Sequence, residues 1–216
     1  MNCSRMESPT PAMMNGQAAS WIGADPGGAG NFGVALLDGH GTARFCCVDC
    51  ADEAVDFVRA HLDQPPGGVG VDAPLWWSSG ASGDRAADRW LRRTYALGGG
   101  AVQAANSLRG AALTQAAMFV QRMREAYPGV GVTESHPKVL LKILARGDWQ
   151  VFTERFALQG ATSAGEHMLD AVISAVSARE GFLGRWPVDL STDRLAAEQD
   201  PASYWLAPVH YYWPER

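Results

Sequence analysis

Three short apolar runs each end on a carboxylate: Ile22-Gly23-Ala24-Asp25, Val69-Gly70-Val71-Asp72 and Val130-Gly131-Val132-Thr133-Glu134. Apolar runs of this length, bounded by glycine and proline, read as buried strands. Burial alone would not select Asp or Glu at such ends, because an unpaired buried carboxylate is costly. In the parallel part of an open α/β sheet the carboxyl ends of neighbouring strands converge on the crevice where ligands bind. If these three strands are neighbours, their acids share one site.

The intervening sequence completes an α/β pattern. Residues 19–25 form the first strand, Pro26-Gly27-Gly28-Ala29-Gly30 a turn, and residues 31–39 a second strand. A third follows at 42–50, with Ala43, Phe45 and Cys47 on one face, and Asp38-Gly39-His40-Gly41 makes the second and third strands an antiparallel hairpin. Ala54, Val55, Val58 and Leu62 recur at helical spacing behind Asp52 and Glu53. After the strand that closes on Asp72 come helices near 84–97 and 107–127, then the strand ending near Glu134 and a helix started by Pro137. Ser163 and Glu166 have capping-box spacing ahead of a last long helix, whose apolar stripe is Leu169, Val172, Ile173 and Val176. A short strand is expected near Ser203–Val209, and Trp186, Trp205 and Trp213 are expected to pack against the rest. Residues 1–18 read as an N-terminal tail, and 19–216 as one domain with a helical insertion at about 78–127.

Charge and cysteine content narrow the function classes. The 216-residue chain carries a net charge of -5, so it lacks the overall basic footprint of a protein that grips nucleic acid by many phosphates. Arg85, Arg89, Arg92, Arg93 and Arg109 supply a local basic concentration, opposed by Asp84 and Asp88. No segment has 18 uncharged apolar residues, and residues 1–18 lack the apolar run of a signal peptide, so a cytoplasmic protein is expected. Of the four cysteines, Cys47 and Cys50 alone have a metal-like spacing, a weak zinc signal without a second pair.

Asp170 adds a fourth acid, on the more polar side of the last helix with Glu166, His167 and Ser174. Four gathered carboxylates repel one another and call for a hard, oxygen-preferring cation, Mg2+ or Mn2+. Asp25, Asp72, Glu134 and Asp170 are therefore the expected metal ligands and catalytic acids, with Asp25 bridging. His167, one turn before Asp170, and His136, two positions after Glu134, are the expected proton carriers. Gly27 and Gly28 permit close substrate approach, although no Walker or dinucleotide fingerprint is present. Arg85, Arg89 and Arg92 share a helical side fit for phosphate oxygens, and Trp76, Trp77 and Trp90 suit either base stacking or packing. Each acid also has a structural reading: Asx turns at Asp25 and Asp72, a Glu134–Lys138 pair, and a pairing of Asp170 with an arginine.

These segments resemble the ribonuclease H superfamily. Residues 22–39 are similar to the opening hairpin of Holliday-junction resolvase-like nucleases. The set Val69–Leu75, Asp84–Arg93, Thr133–Val139 and His167–Ala175 resembles domain-of-unknown-function family 429, described as predicted nucleases. The resemblance spans roughly residues 20–210. It implies a five-stranded mixed sheet in order 3-2-1-4-5 flanked by helices, with the four acids in place and Arg85, Asp88 and Arg92 in the substrate region. The function implied is metal-dependent hydrolysis of nucleic acid, a two-metal nuclease. Another phosphoryl-transfer or hydrolytic enzyme on a small phosphate, or a non-catalytic binding protein, is the alternative, since one fold hosts many chemistries. DNA and RNA both stay open as partners, as does a homo-oligomer.

Overall fold

In the computed structural model, residues 19–81, 83–108, 110–161, 165–192, 203–206 and 208–215 are described, Ser203–Trp205 by backbone alone. The expected tail at 1–18, Arg109, Ser163 and the Trp205 side chain lie outside them.

The central sheet holds five strands in the order β3-β2-β1-β4-β6. These are β1 (Trp21–Asp25), β2 (Phe32–Leu37), β3 (Ala43–Val48), β4 (Gly68–Val71) and β6 (Val132–Glu134). The first three form an antiparallel meander, and β4 and β6 continue parallel to β1. This is the ribonuclease H-like order implied by the resemblance, and helices flank the sheet. The fifth sheet strand is β6 because an unforeseen strand, β5 (Trp76–Ser78), precedes it and pairs with β8 (Ser203–Trp205) outside the main sheet. Helix α1 (Ala51–His61) joins β3 to β4. Between β5 and β6 lie α2 (Ala86–Thr94), a single 3-10 turn and α3 (Gly110–Ala126). The helix expected from Pro137 is α4 (Pro137–Ala145); Arg146 and Gly147 both take positive φ and end it, and a further helix, α5 (Trp149–Arg155), follows. Two short strands, β7 (Val188–Asp189) and β9 (Tyr212–Trp213), pair with each other. Trp186 and Trp213 are buried, as expected of the C-terminal aromatics.

Helix α6 (Glu166–Phe182) lies directly on the sheet. Its backbone touches the strands where three of them carry glycine. A Cβ on Gly33 would sit 2.0 Å from the His167 carbonyl oxygen, one on Gly23 1.8 Å from that of Ala171, and one on Gly70 1.9 Å from that of Ser174. The three glycines form a lane across β2, β1 and β4 that admits the helix far closer than any side chain would allow. The sheet consequently meets the Ala171 and Ser174 side of α6. Of the expected apolar stripe, Val172, Ile173 and Val176 are fully buried and Leu169 is half-buried. Helix α6 starts at Glu166 with Gly165 as its N-cap, so Glu166 stands in the first helical position; the other half of the expected capping box, Ser163, lies outside the described residues.

Candidate active site: three aspartates on one face and a glutamate on the other

Side chains alternate between faces along a strand, so the register decides which acids can meet. Gly23 pairs with Gly70, and both lie under α6. Asp25 and Asp72, each two residues further on, project to that same face at the carboxyl ends of β1 and β4. The Asp72 N–H donates to the Ala24 carbonyl at 2.8 Å, which fixes the two ends side by side. Because α6 descends onto the glycine lane here, its first turns bring His167 and Asp170 over the same corner.

His167 Nδ1 and Asp25 Oδ2 are 2.6 Å apart. The three aspartates interact electrostatically. Burial, then the charge of Asp25, hold Asp72 well above the usual carboxylate range. The same causes push Asp170 up to about 7. Burial raises Asp25 too, opposed by its hydrogen bond to His167. Asp25 is thus the shared neighbour of the other two. Lys138, on α4, contributes a positive charge within reach of all three, while its ammonium pairs with Glu166 at 2.6 Å.

Glu134 is placed elsewhere. It pairs with Val71, and Thr133 pairs with Gly70, so Glu134 projects from the face opposite Asp25 and Asp72. There both its oxygens are taken. Arg85 donates to them at 2.7 and 2.8 Å, and the Leu75 N–H donates to Oε2 at 3.1 Å. The same guanidinium holds Asp88 at 2.7 and 2.9 Å and lies over the Trp76 ring, 4.1 Å from its centroid. Arg85, Asp88 and Glu134 are all at most 2% exposed.

The chain matches the model of a family described as "Protein of unknown function (DUF429)" over residues 23–189, a span that includes every one of these acids. The chain belongs to the DUF429 family. A solved structure described as "Thermus thermophilus RuvC structure" is similar at 18% identity, covering 77% of this chain and 95% of that one, with a TM-score of 0.43. No curated protein matches the chain.

Several expected site residues of this DUF429 chain have other employment. Arg85 and Asp88, expected at substrate, are locked in the buried cluster with Glu134. Arg92 holds both oxygens of Asp84, at 2.6 and 2.7 Å, and the Val102 carbonyl, so its donors face the protein. His136 is no surface proton carrier. Among the described residues its buried Nδ1 has no partner, and desolvation lowers its pKa to about 4, which keeps it neutral. Gly27 abuts the Asn31 backbone, whereas a Cβ on Gly28 would meet nothing within 4 Å. In place of the Glu134–Lys138 pair that was the structural alternative for Glu134, the pairs are Glu134–Arg85 and Lys138–Glu166. Cys46, Cys47 and Cys50 are free, and burial first, then Asp25, raise the Cys47 thiol, the reverse of an activated thiolate.

Among the described residues no group of three or more His, Cys, Asp or Glu side chains encloses a point where a metal ion could be held. The donor set nonetheless has the chemistry of a hard-cation site: three carboxylates all raised in pKa by burial, two of them, Asp72 and Asp170, further by the charge of Asp25. Mg2+ in particular is usually bound by one or two carboxylates, with waters and substrate phosphates completing its shell. Asp25 with Asp72, and Asp25 with Asp170, are the two pairs that fit this pattern. Two of these contributors, Lys138 and the glycine lane, were not read from the sequence. The lane's signal is a glycine two residues before Asp25 and before Asp72.

Proposed function

We propose that the protein is a metal-dependent phosphodiesterase acting on nucleic acid, with Asp25, Asp72 and Asp170 as the acids that hold Mg2+ or Mn2+. The observation that carries this reading is the position of Asp25, whose charge is the largest electrostatic influence on both Asp72 and Asp170. A divalent ion bound there would lower the pKa of water and neutralise charge on the phosphoryl oxygens. Asp25 also orients His167. With the Nδ1 proton directed to Asp25 Oδ2, the other ring nitrogen is left as an acceptor on a side chain that is 42% exposed. That nitrogen can take a proton from an attacking water at the mouth of the site.

Glu134 has no direct part in this proposal, and neither do Arg85, Asp88 or His136. The overall charge of -5 supports a site that meets its substrate at a few points over one that wraps a long duplex.

The test is anomalous diffraction from crystals soaked in Mn2+ near neutral pH, followed by cleavage assays on single-stranded, duplex and branched DNA, on RNA and on a small phosphodiester. Manganese at the three aspartates and cleavage abolished by Asp25→Asn support the proposal. Cleavage that survives Asp25→Asn overturns it, and turnover confined to the small phosphodiester moves the substrate to that class.

A further inference from the structure

We infer that Glu134 is a positioning residue for Asp72, acting across the sheet through the Leu75 amide. The inference rests on the reading of the aspartates as the active site, and it gives the buried Arg85–Glu134–Asp88 cluster a role within that site.

The segment from Asp72 to Leu75 carries one site acid and then turns away from the sheet through Ala73 and Pro74. It is tied at three points, one of them the Leu206 N–H donating to the Leu75 carbonyl at 3.1 Å. The Asp72 N–H donates to the Ala24 carbonyl at 2.8 Å, and the Leu75 N–H donates to Glu134 Oε2 at 3.1 Å. Pro74 has no N–H, so it offers the turn no donor of its own. Leu75 is 2% exposed, and solvent cannot replace the carboxylate as acceptor for its amide. The Glu134 carboxylate is held in turn by the two nitrogens of Arg85 at 2.7 and 2.8 Å. Asp88 and the Trp76 ring fix that guanidinium from its remaining sides. The cluster therefore grips the outgoing side of the turn, Glu134 at Leu75 and Arg85 on the neighbouring Trp76 ring, while Ala24 holds the incoming side at Asp72. The Asp72 carboxylate itself projects to the opposite face by strand parity, although the charge of Glu134 still adds to the raising of its pKa.

The charges make the inference testable without unfolding the protein. One guanidinium between two carboxylates has a net charge of -1 in a buried place. Glu134→Gln leaves the neutral Arg85–Asp88 pair, and the new amide oxygen can still accept from the Leu75 N–H. Glu134→Leu leaves the same neutral pair but removes that acceptor. Arg85→Ala, by contrast, would strand two buried carboxylates and is expected to fail in folding.

The experiment measures hydrogen exchange over residues 72–78 and Mn2+ affinity in the wild type, Glu134→Gln, Glu134→Leu and Asp72→Asn. The expected result is protection retained in Glu134→Gln, with Mn2+ affinity within about threefold of wild type. Glu134→Leu is expected to lose protection at Leu75 and to bind Mn2+ about 10- to 100-fold more weakly, the range typical of residues that orient a ligand. If Glu134→Gln loses as much Mn2+ affinity as Asp72→Asn, Glu134 is a ligand and the inference falls. It falls equally if Leu75 stays protected in Glu134→Leu. Should the wild type bind no Mn2+, the reading of the aspartates fails, and the exchange data alone still decide whether Glu134 holds the turn.

Discussion

His167 Nδ1 lies 2.6 Å from Asp25 Oδ2, joining the first turn of α6 to the end of β1 across 142 residues of sequence. The carboxylate side chain is 14% exposed and the imidazole 42%, so the pair has a sheltered end and an open one. In the proposed mechanism this pair acts as an oriented base, the acid fixing one ring nitrogen and leaving the other to accept a proton.

Replacing that base separates its two functions. His167→Gln can still donate to Asp25 but cannot accept a proton at the mouth of the site. Cleavage is expected to fall about 10²- to 10⁴-fold, with Mn2+ affinity changed far less. His167→Ala also removes the hydrogen bond that opposes the raising of Asp25, so its metal affinity is expected to fall further at pH 6 than at pH 8. Equal kcat for His167→Gln and wild type would remove His167 from the mechanism.

Burial, reinforced by the charge of Asp25, predicts through Asp170 how stability depends on pH. Asp170 has its pKa raised from 3.8 to about 7 in the folded protein, so the folded state binds its proton more tightly than the unfolded chain does. The resulting penalty is absent below about pH 4, grows as pH rises to about 7 and is constant above. Metal-free wild type should therefore lose stability relative to Asp170→Asn over that window, by an amount on the order of a few kcal/mol. Mn2+ should cancel the loss in the wild type alone. Thermal melts from pH 4 to 8, with chelator and with Mn2+, provide the measurement, and parallel curves for the two proteins would contradict it.

The approach of α6 to the sheet predicts a sharp contrast between two glycines. A Cβ at Gly23 would lie 1.8 Å from the Ala171 oxygen and 2.4 Å from the Ala175 nitrogen. Both are backbone atoms, so no rotamer change relieves the clash and the helix must lift. Gly23→Ala is expected to cost at least about 1–3 kcal/mol, or roughly 2–4 °C in Tm per kcal/mol for a chain of this size, and to weaken Mn2+ binding by carrying Asp170 away. Gly28→Ala meets nothing within 4 Å and should leave Tm unchanged. Loss of cleavage in Gly28→Ala would then report close substrate approach at that loop, and an unshifted Tm in Gly23→Ala would refute the packing argument.

Much of this architecture was legible because its causes are local. The apolar runs of β1, β2 and β4, the alternation in β3, the Asp38 turn, the helical period of α1 and the proline that starts α4 all act within a few residues. Asp25, Asp72, His167 and Asp170 were legible for the same reason, as acids at strand ends and a histidine one helical turn from an acid. Glu134 was misplaced by parity. Its run is one residue longer than that of Asp72, and in this register the added Thr133 turns the glutamate to the other face. The partner that accounts for its burial, Arg85, lies 49 residues earlier, and no local rule couples the two. The pairing of β5 with β8 was missed for a similar reason, because its two strands lie more than a hundred residues apart. His136 and His167 look alike in sequence, each close to an acid, and differ only in what the tertiary fold buries.

Lys138 provides a last separation, because a cation beside an acidic metal site acts on the metal and the substrate with opposite signs. Its ion pair with Glu166 is 2.6 Å long, but both side chains are about two-thirds exposed, and such a pair adds only about 0–1 kcal/mol to stability. Its charge nevertheless reaches Asp25, Asp72 and Asp170, lowering the pKa of each. Lys138→Met removes a charge that repels Mn2+ and attracts phosphate. Mn2+ affinity is expected to rise or hold, while KM for the nucleic acid rises about threefold to tenfold at low salt, a gap that narrows as added salt shortens the Debye length from about 30 Å at 0.01 M to about 8 Å at 0.15 M. Glu166→Gln releases the ammonium from its partner and should lower KM. Titrations of Mn2+ and substrate at two ionic strengths distinguish the outcomes: a KM unaffected by either change would leave Lys138 as a surface ion pair with no part in substrate binding.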